Sequence, residues 1–182
     1  MSAYEAIRQL VARYAVAVDG RDIETLVSLF VDDVHVGALG NGHAALRESF
    51  ESSLRGIGVS ILNVGTHVID LASEDDATGI VYCKGEIQDG ARWIHQAIVY
   101  EDRYRKRAGA WYFARRNHRL FYGAEVGTNP LGLPPANWPK RHDGWGTVPG
   151  EWDSWRRFWA GPTNGSTIDE PTEEPDLMGD ST

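Results

Sequence analysis

At Val59 the hydrophobic period of this 182-residue chain changes, and that change limits the folds open to it more than any single motif. Before Val59, apolar residues recur at intervals of three and four. After it come four extended segments rich in β-branched and aromatic residues: VSILNVGTHVIDLA, ATGIVYCKGEIQ, ARWIHQAIVYEDRYRKR and AWYFARRNHRLFYG. The connectors SEDD, DG and AG are short enough for hairpins, so the four segments read as an antiparallel meander. Helices first and a meander afterwards mean an α+β domain, with three N-terminal helices packed on one face of a curved, mostly antiparallel sheet.

The first helix is predicted over residues 3–18, with Ile7, Leu10, Val11, Tyr14, Ala15 and Val18 forming its core stripe. Asp19 falls in its last turn and Gly20 is the expected left-handed stop. A carboxylate there faces the negative end of the helix dipole, which is unfavourable by roughly 0.3–1 kcal/mol. A second helix is expected from Ile23 to Phe30 with Asp22 as its N-cap, then a short strand, VHVGAL, and a third helix in NGHAALRESFESSLRGIG. After Gly127 strand character is lost. Residues 127–160 form a Pro/Gly-rich arm ending in a short helix with Trp152, Trp155 and Trp159 on one face, a stripe that must be covered by something. The expected organisation is therefore a domain over 1–126, the arm over 127–160, and an acidic tail over 161–182, whose composition predicts disorder.

The formal net charge of −8 is mostly that tail, which carries six acids and no Lys or Arg; residues 1–160 have a net of only −2. Arginines 103, 105, 107, 115 and 116 alternate with acids and read as a solvated sheet face rather than a nucleic-acid platform. No run of eighteen apolar residues is present, so no membrane span is expected. A single cysteine, Cys83, forbids an intrachain disulfide and makes the cytoplasm the default compartment.

Several polar residues sit in apolar company. His67 shares an alternating face with Ile61, Ile69 and Leu71; His95 shares one with Trp93, Ala97 and Val99; Arg119 shares one with Phe113 and Phe121; and Tyr14 lies on the stripe of the first helix. Together with Asp19 these are five polar groups expected to point inward, and buried polar groups need partners. They could meet around a cavity. Each also has a plainer reading: a strand histidine satisfied within the sheet, a core tyrosine with its hydroxyl at the edge, an acid accepting from the Arg21 or Asp22 amide, an arginine paired with a surface acid. A two-histidine-one-carboxylate iron site is disfavoured because HVID lacks the close His-x-acid pair, and Cys83 has no nucleophile motif around it.

The stretches RYAVAVDGRD, GTH and YEDRYRKRAGAWYFARR give residues 3–125 a resemblance to the SnoaL-like branch of the nuclear transport factor 2-like fold. That branch includes scytalone dehydratase, bile-acid dehydratase and hexachlorocyclohexane dehydrochlorinase. The resemblance implies a cone-shaped α+β barrel with a C-terminal arm, and a cofactor-independent dehydratase (a lyase) with neither metal nor organic cofactor. It implies that Asp19 and His67 form a hydrogen-bonded dyad with His67 as general base. Tyr14 and His95 would hydrogen-bond a departing hydroxyl or an enolate oxygen, and Arg119 would hold a carboxylate or thioester. Trp93, Trp111, Phe113 and Phe121 would line a cavity for an apolar, polycyclic substrate such as a steroid or polyketide. The arm implies a homo-oligomer, a trimer in preference to a dimer. The alternatives are an isomerase or cyclase using the same base, and a non-catalytic binding or assembly subunit.

Overall fold

A computed structural model describes residues 2–137, 140 and 143–161; the acidic tail beyond Gly161 lies outside the described residues. Helix α1 spans Ala3–Asp19, opened by Ser2, whose side chain accepts from the Glu5 amide. Of the predicted stripe, Ile7, Leu10, Val11, Ala15 and Val18 are buried, joined by Ala17, whereas Tyr14 is only partly buried against the core. Gly20 is not the left-handed residue: its φ is −80°, and the positive φ of 54° falls on Arg21. Gly20 is small for a different reason. A Cβ there would come within 3.2 Å of the Trp152 ring and 3.4 Å of the Ser154 hydroxyl, so the arm would have to give by a few tenths of an ångström to seat on the helix end. Ser154 also donates to the Gly20 carbonyl at 2.7 Å.

Helix α2 spans Ile23–Ser28 and is capped as predicted, the Asp22 carboxylate accepting from the Thr25 amide at 3.1 Å. VHVGAL is not a strand. It holds a single bridge, His35 to Asn41, around a 3-10 turn at Gly37–Leu39. Helix α3 spans His43–Arg55.

Four antiparallel strands follow in the order of the chain: β1 Ser60–Leu71, β2 Asp76–Asp89, β3 Arg92–Arg107 and β4 Ala110–Glu125. Their helix-facing side is set by β2, where Ala77, Val81 and Cys83 are buried at every second position. Pairing carries that face to His67, Ile69 and Leu71 of β1, and to Tyr100, Asp102 and Tyr104 of β3. It carries on to Phe113, Arg116 and His118 of β4. Helices on this one face of the curved sheet give the α+β cone.

Bulges decide which residues point in. In β1 the register shifts between Val64 and His67, so His67 faces inward with Leu62 and Val64, whereas Ile61 turns outward and is 46% exposed. In β4 two further shifts occur, one beside Arg103/Tyr104 and one beside Ala97/Ile98. The first leaves Ala114 unpaired and brings Arg116, rather than Arg115, to the inner face; the second leaves Phe121 unpaired.

An aromatic cluster fills the centre. Phe113 is fully buried and its ring lies 5.0 Å from Phe30, 5.6 Å from Tyr104 and 5.7 Å from Tyr14, at tilted or edge-on angles. The arm ends in helix α4, Asp153–Ala160, and the tryptophan stripe is only partly covered. Phe158 is its buried residue, whereas Trp152 and Trp159 remain about 40% exposed.

Candidate functional site

The inner face of the cone brings together a connected polar group from three strands. The His67 Nε2 lies 3.0 Å from the Tyr104 hydroxyl, which donates to Asp102 Oδ2 at 2.7 Å. Asp102 in turn accepts two bonds from Arg116, from Nε at 2.8 Å and Nη2 at 2.6 Å. The ion pair is almost wholly out of water, with side-chain exposures of 4% for Arg116 and 0% for Asp102. Its cation is further held among three rings: the guanidinium carbon sits 4.2 Å from Tyr100 and 4.3 Å from both Tyr14 and Phe113. Arg116 Nη1, the nitrogen facing away from Asp102, is buried and makes no hydrogen bond of normal geometry among the described residues.

Local environment sets the protonation of these groups. Burial, helped by Arg116 and Arg8 and opposed by Asp102, lowers His67 from its ordinary value, so its ring is neutral at pH 7. Burial raises the Tyr14 hydroxyl above its ordinary value. It pushes the Cys83 thiol up to about 11, which removes Cys83 as a thiolate nucleophile. His118, beside Tyr100 at 5.5 Å, is lowered by burial and by Arg116.

Asp19 stands apart from this group. Its carboxylate accepts from the Leu62 amide at 2.9 Å and the Ser60 hydroxyl at 3.2 Å, and no hydrogen bond or ion pair joins it to His67 among the described residues. The expected Asp19–His67 hydrogen bond is thus replaced by two others: Asp19 ties the end of α1 to the start of β1, and His67 turns to Tyr104. Next to it the buried Arg21 guanidinium donates to the carbonyls of Val18 and Gly58 and to Ser60. Burial outweighs these donors and pushes Asp19 up to about 6. A carboxyl raised in the folded state holds its proton more tightly there than in the unfolded chain. Its contribution to stability is full below about pH 4 and is lost as pH rises through about 6. Asp19→Asn should therefore melt higher than wild type above about pH 6 and converge with it below about pH 4, as read by thermal melts across that range. Parallel melting curves at every pH would contradict this.

Four other expected site residues lie on the outer face. His95 pairs with Glu86 of β2, its Nε2 3.5 Å from that carboxylate, and both are well exposed. Arg119 is 63% exposed and bonded to Glu101 at 2.8 Å. Phe121, at the second β4 bulge, stacks edge-on against Tyr82 at 5.3 Å. Trp93 is buried but also points outward, its indole donating to Glu86 at 2.9 Å. Trp111 and Phe113 are inside, as expected, but as core. The alternation of arginines with acids predicts Arg116 on a solvated face; the structure instead buries it inside the cone with Asp102 and Tyr104. One signal was there: Tyr100, Asp102 and Tyr104 alternate on the face of Ile98, which makes Asp102 an acid inside an aromatic row.

The SnoaL-like domain family matches residues 1–117. No curated protein matches the chain. Among solved structures, a type 2 hexachlorocyclohexane dehydrochlorinase (LinA) is 25% identical with a TM-score of 0.61, over 72% of this chain and 95% of that one. The type 3 LinA of Novosphingobium barchaimii is 23% identical with a TM-score of 0.64 over the same shares. A scytalone dehydratase-like protein of Novosphingobium aromaticivorans is 22% identical with a TM-score of 0.59, covering 72% and 94%. These share the cone of helices on an antiparallel sheet, and the family match spans more than half the sequence. The chain belongs to the SnoaL-like domain family.

Proposed function

We propose that this protein is a cofactor-independent lyase, a dehydratase acting on an apolar, polycyclic β-hydroxy carbonyl compound such as a steroid or polyketide, with His67 as its general base. The observation that carries this reading is the neutral His67 linked, through one hydrogen-bonded chain, to an arginine beside the Tyr14 ring whose buried Nη1 has no hydrogen bond of normal geometry among the described residues. A neutral imidazole can take a proton, and donors held in a dry site stabilise the charge that results. The free ring nitrogen of His67 removes the proton next to the substrate carbonyl. The electron pair moves onto the carbonyl oxygen, which Tyr14 and Arg116 Nη1 stabilise as an enolate. As the enolate collapses, the β carbon–oxygen bond breaks and the hydroxyl leaves with the proton carried by His67, releasing water and restoring the neutral ring. The dehydrochlorinase and dehydratase names among the structural neighbours are consistent with elimination chemistry.

The test is a mass-spectrometric assay of water loss from a panel of apolar β-hydroxy ketones. Wild type should eliminate water, and Tyr14→Phe, which keeps the ring and removes one donor, should do so more slowly, by about 10²-fold. Exchange of the α proton without loss of water would replace the dehydratase by an isomerase. Neither reaction with any compound that binds would count against catalysis.

A further inference from the structure

The chain from His67 to Arg116 has only one consistent arrangement of protons. Asp102 is ionised, because both its oxygens accept from the Arg116 guanidinium. The Tyr104 hydroxyl carries one hydrogen, and it goes to Asp102 Oδ2 at 2.7 Å, where a charged acceptor makes the stronger bond. Tyr104 therefore has only lone pairs left for His67 Nε2 at 3.0 Å.

Glycine at position 79 makes this possible. Gly79 lies on β2 between Ile69 of β1 and Asp102 of β3. A Cβ there would come within 2.9 Å of both the Tyr104 hydroxyl and Cε2, a distance that real side chains do not tolerate. The bare backbone lets the Tyr104 ring lie across β2 and reach a histidine two strands away. The two observations are independent: one is a hydrogen-bond count, the other a steric gap.

We propose that Tyr104 and Asp102 are positioning residues that lock the His67 ring with its proton on Nε2 and its lone pair on Nδ1, and that Gly79 is the cradle through which Tyr104 reaches it. When Nδ1 takes a proton, the new positive charge is shared through Nε2–H and the Tyr104 hydroxyl with the Asp102 carboxylate. The charged and titratable groups around the ring are Arg8 from α1, Tyr104 and Asp102 from β3, and Arg116 from β4. The proton arrangement stands on the geometry alone; its effect on rate rests on His67 being the base proposed above.

Nitrogen-15 NMR of the ring, recorded above its titration, decides the first point without any substrate. Nδ1 is expected at the position of an unprotonated ring nitrogen and Nε2 at that of an N–H protected from exchange. In Tyr104→Phe and in Gly79→Ala the Nε2–H should lose protection and the His67 titration should move down. With a turned-over substrate, kcat of both variants should fall by roughly 10–100-fold, with KM nearly unchanged. A proton on Nδ1 in wild type, or variants whose His67 signals and titration match wild type, overturns the proposal. If the NMR result holds and no substrate is turned over, the positioning stands and the proposed lyase is what fails.

Discussion

His67→Gln is expected to leave the protein folded and to lower the elimination rate by about 10²–10⁴-fold, the usual worth of a general base. Folding survives because His67 is only half-buried and glutamine can still donate to Tyr104. The wild-type pH profile gives a second reading of the same group. Burial lowers His67, so kcat/KM should rise with pH through a value below the ordinary histidine figure of about 6.5 and then level off. In the glutamine variant that rise should be missing from whatever rate remains. A rise at or above the ordinary value would assign the base elsewhere.

Removing Arg116 is expected to have the largest effect on stability. Arg116→Met strips the buried Asp102 carboxyl of its ion-pair partner, and breaking a buried pair from one side costs about 3–5 kcal/mol. For a domain of this size that is a fall in Tm of roughly 10 °C. Part of that loss is the packing of the guanidinium among Tyr14, Tyr100 and Phe113, which methionine only partly restores. The double variant Asp102→Leu/Arg116→Met should be less destabilised than the sum of the two single variants, because no charge is stranded in it. Denaturant melts of the three proteins check this; strictly additive losses would mean that the two residues do not act as a pair.

These residues also explain how far the sequence could be read. The change of period at Val59, the Asp22 cap and the hairpin connectors are local signals, and the elements they predict are present. Which face a strand residue occupies is less local. Counting by twos from Phe113 leads to Arg119, but the unpaired Ala114 shifts the count and delivers Arg116 and His118 to the interior. In β1 the bulge after Val64 keeps His67 inside while Ile61, an even number of residues before it, points out. For β3 the difficulty is different. Both faces are apolar, Trp93 and Val99 on one and Ile98 and Tyr100 on the other, so composition alone could not say that His95 faces away from the helices. For Asp19 the sequence predicts a cost from the helix dipole, whereas the structure raises it through burial, and its partners are Ser60 and Leu62 at the foot of β1. Neither is adjacent to it in sequence, and only the folded register brings them there.

The central claim, that His67 is a base held by Tyr104 and not by Asp19, is tested most directly by solvent exchange. Wild type, His67→Gln and Asp19→Asn would be incubated in heavy water with an apolar ketone that binds, and deuterium at its α carbon followed by mass spectrometry. Incorporation is expected from wild type and Asp19→Asn at similar rates, and almost none from His67→Gln. Incorporation by His67→Gln at the wild-type rate, or its loss in a folded Asp19→Asn, would contradict it.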